Sequence, residues 1–151
     1  MKKILFLDID GVLNSDSWFK KCREKEASWD PLDPELVRKL NTLDCEVVIS
    51  SSWGCDSGKT WEKLRKKGFN LKIIGYTELH EIGSDWIVRG NSIKKWLYDN
   101  CKDIDYQYAI LDDDGDMLLE QKDHFVQTDP LVGVTDENIE LLKNILDSNI
   151  L

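Results

Sequence analysis

The stretch FLDIDGVLNS, residues 6–15, places two aspartates two positions apart where an apolar run ends. Carboxylates are poor strand formers and costly to bury unpaired, so Asp8 and Asp10 need a reason to stand there. A turn is one reason, since Asp and Gly are common turn residues. Chemistry is another. A carboxylate can attack phosphorus and form an aspartyl-phosphate. A second carboxyl group can protonate the leaving oxygen, then take a proton from the water that cleaves the intermediate. One acid cannot conveniently do both jobs. In an extended segment, side chains two apart point the same way, which would aim Asp8 and Asp10 together while Ile9 turns away and packs. Gly11 permits a tight turn beside them.

Other residues of matching chemistry recur down the chain. Ser50-Ser51-Ser52-Trp53 follows a second apolar run, and Asp112-Asp113-Asp114-Gly115-Asp116 follows a later one. Arg89 stands between them in RGNSIKKWL, with Lys94 and Lys95 as rival cations. Ser50 and Ser51 can hydrogen-bond phosphate oxygens, and Arg89 can hold one through its planar fork. Mg²⁺ prefers oxygen ligands and is usually held by one or two carboxylates plus substrate phosphate; Asp8 with Asp112 or Asp113 could supply them. A metal would also offset the repulsion between a carboxylate nucleophile and an anionic phosphate. Bare unit charges 4 Å apart repel by about 4 kcal/mol at an effective dielectric of 20.

These residues need elements to position them. Residues 2–7 read as a buried strand, PELVRKLNTLD as a helix opened by Pro34, and CEVVISS as a second strand. TWEKLRKKG is a helix closed by Gly68, LKIIGYT a third strand, and NSIKKWLYDN a helix capped by Asn91 or Ser92. YQYAILDDD is a fourth strand, HFVQT a short fifth, and TDENIELLKNIL a closing helix capped by Thr135. Strand and helix alternate, which predicts an α/β fold with a mainly parallel sheet and helices on both faces. In such sheets function gathers beyond the carboxyl ends of the strands. Asp8, Ser50 and the Asp112–Asp113 pair all fall at such ends.

With those motifs in place, the chain resembles the haloacid dehalogenase (HAD) superfamily, dominated by magnesium-dependent phosphatases. FLDIDGVLN resembles the first motif, hhhDxDGhh with h apolar, and VVIS the second, a strand ending in Ser or Thr. Arg89 occupies the place of the third motif's Lys or Arg, and AILDD resembles the fourth, an apolar strand ending in an acidic pair. The resemblance implies a three-layer Rossmann-like fold with a five-stranded sheet of order 5-4-1-2-3. It further implies Mg²⁺ on Asp8, the Asp10 carbonyl and Asp113, with Asp8 as nucleophile and Asp10 as acid and base. The second aspartate is found in the family's phosphatases and not in its carbon–halogen hydrolases. SSSW, RGNSIKKWL, LDDDGDM and QTDPLVGVT look most like the HAD domain of "Swiss army knife" RNA-repair proteins, which implies phosphate removal from nucleotide or RNA/DNA ends.

Composition bounds the alternatives. At 151 residues the chain reads as one domain, residues 1–151, with a small helix or flap inserted around 14–33 and minimal or no cap. A net charge of −9 argues against a broad nucleic-acid-binding face, and KKCREKE and EKLRKKG read as solvated helix faces. No stretch approaches the ~20 apolar residues of a membrane span, and the apolar run after MKK stops at Asp8, short of a secretory segment; a cytoplasmic protein is expected. Cys22, Cys45, Cys55 and Cys101 lack the spacing of a zinc site or disulfide framework and read as packing thiols. Gly58-Lys59-Thr60 mimics the end of a P-loop, but Trp53 stands where its first glycine belongs. DDDGDMLLE fails as a calcium loop, because its positions six and twelve are Met117 and Asp123. Asp114 and Asp116 read as loop acids, with support of the metal as the alternative; His80 and His124 read as structural or solvent-facing; Trp53 and Trp86, near the active-edge loops, read as packing residues, with stacking on a base or ring as the alternative. The rival to a phosphatase is a phosphate-binding module without turnover, against which the intact D-x-D pair argues. A receiver domain would want a lone acceptor aspartate where this chain has serines. Oligomeric state is not legible.

Overall fold

The computed structural model describes residues 1–25, 30–55, 59–78, 81–82, 85–86 and 88–148. Its elements in chain order are β1 (Lys2–Leu7), α1 (Asp16–Glu24), α2 (Pro34–Lys39), β2 (Glu46–Ile49), α3 (Lys59–Lys66), β3 (Ile73–Tyr76), β4 (Glu81–Ile82), β5 (Asp85–Trp86), α4 (Arg89–Asn100), β6 (Tyr106–Asp112), β7 (Phe125–Gln127) and α5 (Asp136–Asp147). Five strands form one sheet in the order β3-β2-β1-β6-β7, every pairing parallel. The short antiparallel pair β4-β5 stands apart, a feature not anticipated between the third main strand and Arg89. With that pair set aside, the order is the expected 5-4-1-2-3 read from the other edge.

Parallel strands covered on both faces read as unbroken apolar runs, and β1 is one: Ile4, Leu5, Phe6 and Leu7 are all fully buried. Alternation sorts them. Leu5 and Leu7 join Val47, Ile49, Ala109 and Leu111 against Leu36 and Val37 of α2, Leu64 of α3 and Ile139, Leu142 and Leu146 of α5. Ile4 and Phe6 join Val48 and Ile110 against Ile93 and Leu97 of α4. Phe6 meets Trp96 and Tyr108 edge-on, at ring separations of 5.6 and 6.1 Å. His124 stacks on Tyr108 at 4.0 Å, with its Nδ1 2.8 Å from the Tyr108 carbonyl, a structural role as expected. Cys22, Cys45 and Cys101 are free thiols, and burial pushes Cys45 up to about 12. The readings of Cys55, His80 and Trp86 fall on side chains outside the described residues.

Where the helix starts are described, local chemistry caps α1, α2 and α5, and α4 differs. Thr135 and Asn138 cap α5 reciprocally, and Gly68, at φ 93°, closes the turn after α3. The helix opened by Pro34 stops at Lys39 and tightens into a 3₁₀ turn over Leu40–Thr42, shorter than PELVRKLNTLD implied. The cap expected at Asn91 or Ser92 is not there. α4 starts at Arg89, and its first N–H is met from outside the helix by the Asp116 carboxylate, which accepts from Arg89 N at 2.9 Å. A distant acid supplies the cap, so no local signal marks the start. α4 therefore covers one sheet face and presents Arg89 at its first turn.

Truncating the α4 core should loosen both functions of that helix. Ile93→Ala is expected to cost about 2–4 kcal/mol in urea unfolding, as a fully buried side chain is replaced by a cavity.

Candidate active site

The sheet register brings the polar strand ends into line. Leu7 lies opposite Ile49 on one side and Leu111 on the other, and Ile49 opposite Tyr76. One residue further, Asp8, Ser50, Thr77 and Asp112 form a transverse row, bonded through Asp8 N to Leu111 O (3.0 Å), Ser50 N to Leu7 O (2.8 Å) and Thr77 N to Ile49 O (2.9 Å). All four are buried. Since Leu7, Ile49 and Leu111 face the larger core, alternation turns this row toward the face that α4 covers, and Arg89 meets it there. Arg89 Nη1 lies 3.0 Å from Asp8 Oδ1, 3.0 Å from Asp112 Oδ2 and 2.7 Å from the Ser50 carbonyl. Lys94 and Lys95 instead pair on the surface with Glu120 and Asp99, so Arg89 is the cation brought to these acids.

Asp113, in the loop after β6, completes an acidic group. Carboxylate oxygens of Asp8, Asp112 and Asp113 lie within 4.8 Å of one another. Gly11 makes room for it: φ is 77°, and a Cβ built there would sit 2.4 Å from Asp113 Oδ2. Asp112 Oδ1 accepts from Asp114 N at 2.9 Å, which orients that carboxylate.

Two buried carboxylates thus face one guanidinium. Burial, with the Asp112 carboxylate adding to it, raises the Asp8 carboxyl from 3.8 to about 9, although Arg89 pulls the other way. Burial also raises Asp112, to about 6, against the same pull from Arg89. Desolvation opposes the charge on Arg89, but Asp112 and Asp8 outweigh it and hold the guanidinium above its ordinary value. Left to itself the cluster keeps a proton. Three clustered oxygen donors with more negative charge than Arg89 can balance fit a hard divalent cation such as Mg²⁺, with Asp8, Asp112 and Asp113 as side-chain ligands. Beside them Ser50 Oγ is buried and, among the described residues, makes no hydrogen bond, and the same holds for Thr77 Oγ1. Such orphaned donors suit an incoming anion. Ser51 differs, since its hydroxyl accepts from Trp53 N at 3.3 Å within the turn.

Asp10 is placed differently from the alternation argument. β1 ends at Leu7 and residues 10–13 form a turn, with Val12 N and Leu13 N both donating to the Ile9 carbonyl, so strand periodicity no longer governs Asp10. Its carboxylate is held instead by Asn14 Nδ2 on Oδ1 (2.9 Å) and Trp53 Nε1 on Oδ2 (3.1 Å). Asp10 is exposed, on a cleft of about 230 Å³ that it shares with Asn14, Phe19 and Asp113. A cleft of about 440 Å³ lined by Tyr98, Tyr106, Tyr108, Lys94 and Lys102 contains none of these groups.

Thr77, Asn14 and Gln121 escaped the sequence reading of the site, and Trp53 and Asp116 entered it in other roles. Asn14 and Trp53 hold Asp10. Asp116 receives Arg89 N, and Gln121 Nε2 donates to the Gly90 carbonyl at 2.8 Å, so both fix the turn that carries Arg89. Asn14 carried a weak signal, four residues after Asp10 in the same turn. Asp116 reads from sequence as a loop acid or a support of the metal, and its bond to Arg89 N is neither.

A family model described as the HAD domain in Swiss Army Knife RNA repair proteins matches residues 4–139. The chain belongs to this family. The HAD match runs from β1 into α5 and takes in Asp8, Asp10, Ser50, Arg89, Asp112 and Asp113. It places the domain in a superfamily of hydrolases and phosphatases. No curated protein and no solved structure matches the chain. Among the described residues of this HAD domain, no helix is long and apolar enough to cross a membrane.

Burial of the Asp8 carboxyl has a consequence for stability. The unfolded chain releases the Asp8 proton near 3.8 and the folded, metal-free chain only near 9, so the metal-free fold loses stability as pH rises through that window. Asp8→Asn removes the loss and leaves Arg89 paired one-to-one with Asp112. At pH 7 in EDTA its thermal midpoint is expected to exceed the parent's by on the order of a few degrees, the gap closing toward pH 4. A lower midpoint at pH 7 would mean that the Asp8–Arg89 pair outweighs the cost of burial.

Proposed function

We propose that this HAD domain is a Mg²⁺-dependent phosphomonoesterase that works through an aspartyl-phosphate on Asp8 and acts on the phosphorylated ends of nucleotides or RNA. One observation carries the reading: a buried carboxylate, Asp8, sits among Asp112, Asp113, Arg89 and the orphaned Ser50 hydroxyl, while a second, Asp10, is held at the exposed mouth by two neutral donors. A nucleophile and a proton carrier have opposite needs. The first gains from an environment that excludes water; the second must reach both the leaving oxygen and the water that follows.

The residues divide the reaction accordingly. The phosphoryl group is held by Ser50 Oγ and the Arg89 fork. An Asp8 oxygen attacks phosphorus, the ester P–O bond breaks, and the Asp10 proton goes to the departing oxygen. Asp10, now a carboxylate, takes a proton from water; the hydroxide attacks phosphorus, the bond to Asp8 breaks, and phosphate leaves. Mg²⁺ held by Asp8, Asp112 and Asp113, with the Asp10 carbonyl as the HAD resemblance implies, would offset the charge repulsion between nucleophile and phosphate. The family's description, RNA repair, supports an RNA substrate, and the exposed position of Asp10 supports a bulky one. In the same reading residues 1–151 form a single hydrolase domain, with α1 and its neighbours over 14–33 as a small flap rather than a cap.

A screen of the purified protein with Mg²⁺ against nucleotides, 3′- and 5′-phosphorylated oligonucleotides, sugar phosphates and phosphopeptides should give phosphate release, with nucleic-acid ends preferred. EDTA should abolish the release and added Mg²⁺ restore it. Asp10→Asn is expected to slow turnover by roughly 10²–10⁴-fold. Asp8→Asn should reduce it to background; release at the parent rate would sink the phosphoenzyme. No release from any class would leave a phosphate-binding module instead.

A further inference from the structure

The Asp10 carboxylate has one donor on each oxygen, but its two holders are not equivalent. Asn14 also fixes the turn itself, accepting from Gly11 N at 2.8 Å and donating to the Pro31 carbonyl at 2.9 Å. Trp53 comes from another strand end, 43 residues away, and reaches Asp10 with its indole N–H alone. It is itself held in place. The Thr60 hydroxyl of α3 donates to the Trp53 carbonyl, Lys63 Nζ stands 5.3 Å above its ring, and the ring packs against the larger core. Packing alone would be served by a phenylalanine. An indole whose N–H is aimed at the exposed acid of the site has a further use.

We propose that Trp53 is a positioning residue for proton transfer: its N–H fixes the Asp10 rotamer that meets the leaving oxygen, and so makes the enzyme competent for phosphate esters of alcohols such as a ribose hydroxyl. The proposal rests on the reading of Asp10 as the acid. In the first step the bond from Asp8 to phosphorus forms and the ester P–O bond breaks, its electron pair going to the ester oxygen. An alkoxide needs the Asp10 proton to leave. A nitrophenolate is stable as an anion and leaves without it. A misplaced Asp10 therefore penalises alkyl esters and spares activated aryl esters, a selectivity that looser packing would not produce. The ratio kcat/KM reports steps only through formation of the phosphoenzyme, which separates this role from the later one of Asp10 as base.

The test compares kcat/KM for β-glycerophosphate and 4-nitrophenyl phosphate, with Mg²⁺ present, in the parent, Trp53→Phe and Asp10→Asn proteins. Trp53→Phe is expected to lose about tenfold or more on the alkyl ester and less than about twofold on the aryl ester, a part of the 10²–10⁴ that general acid catalysis supplies. Asp10→Asn should show the same split, larger. Trp53→Leu, which keeps apolar bulk and has no donor, should repeat it and stands in if the Phe variant does not fold. Equal losses on both esters, or no loss on the alkyl ester, would overturn the role of Trp53 while Asp10→Asn still splits the substrates. If Asp10→Asn shows no split, the acid assignment falls and Trp53 falls with it.

Discussion

One guanidinium between two buried carboxylates is the contact on which the site depends. Arg89 Nη1 reaches Asp8, Asp112 and the Ser50 carbonyl, which ties the ends of β1, β2 and β6 to the first turn of α4. Without it, two ionised carboxyls would lie almost out of water with no opposing charge, at a cost of several kcal/mol per ion. With it, they remain one positive charge short. Burial raises Asp8 and Asp112 above the ordinary carboxylate range against the pull of Arg89, and the three clustered oxygen donors, Asp113 among them, fit a hard cation.

Holding Arg89 there takes structure from elsewhere. α4 is fastened to its sheet face by Ile93 and Leu97, and its first turn is fastened to the loop after β6 by Asp116 and Gln121. The packing is close: a Cβ on Gly90 would come within 2.6 Å of Leu118 N. The cation is thus preorganised by the loop that follows Asp112 and Asp113, so both charge signs are delivered by contiguous chain. Asp10 is kept outside this arrangement. Asn14 and Trp53 satisfy it with neutral donors at an exposed rim, where water can reach it. The two aspartates of one D-x-D stretch therefore occupy opposite environments, one desolvated and one wet.

Much of the fold was legible because it follows from local pattern. Unbroken apolar runs marked the strands buried on both faces, Pro34, Gly68 and Thr135 marked helix ends, and the alternation of elements marked a parallel sheet. The start of α4 was misplaced because its cap comes from Asp116, 27 residues downstream, and such a cap leaves no trace near the helix. The β4-β5 pair is two residues per strand, too short for any period to show. At the site, Asp8, Asp10, Ser50, Arg89, Asp112 and Asp113 were legible as residue types at strand and helix ends. The choice of Arg89 over Lys94 and Lys95 was not, because it turns on which face of α4 meets the sheet.

By itself, then, the sequence determined the inventory: a D-x-D at the end of a buried strand, serines at the next, a late acidic pair, and a basic residue at a helix start. Residue chemistry and short-range periodicity carry that much. Tertiary structure decided the partners. Register placed Asp8, Ser50, Thr77 and Asp112 in one row, α4 brought Arg89 onto it, and the turn at Asp10 handed that carboxylate to Asn14 and Trp53. Strand alternation predicted a common direction for Asp8 and Asp10 and could not foresee the outcome, because periodicity ends where the strand ends. Past Leu7 the position of each carboxyl is set by hydrogen bonds and charges from other parts of the chain.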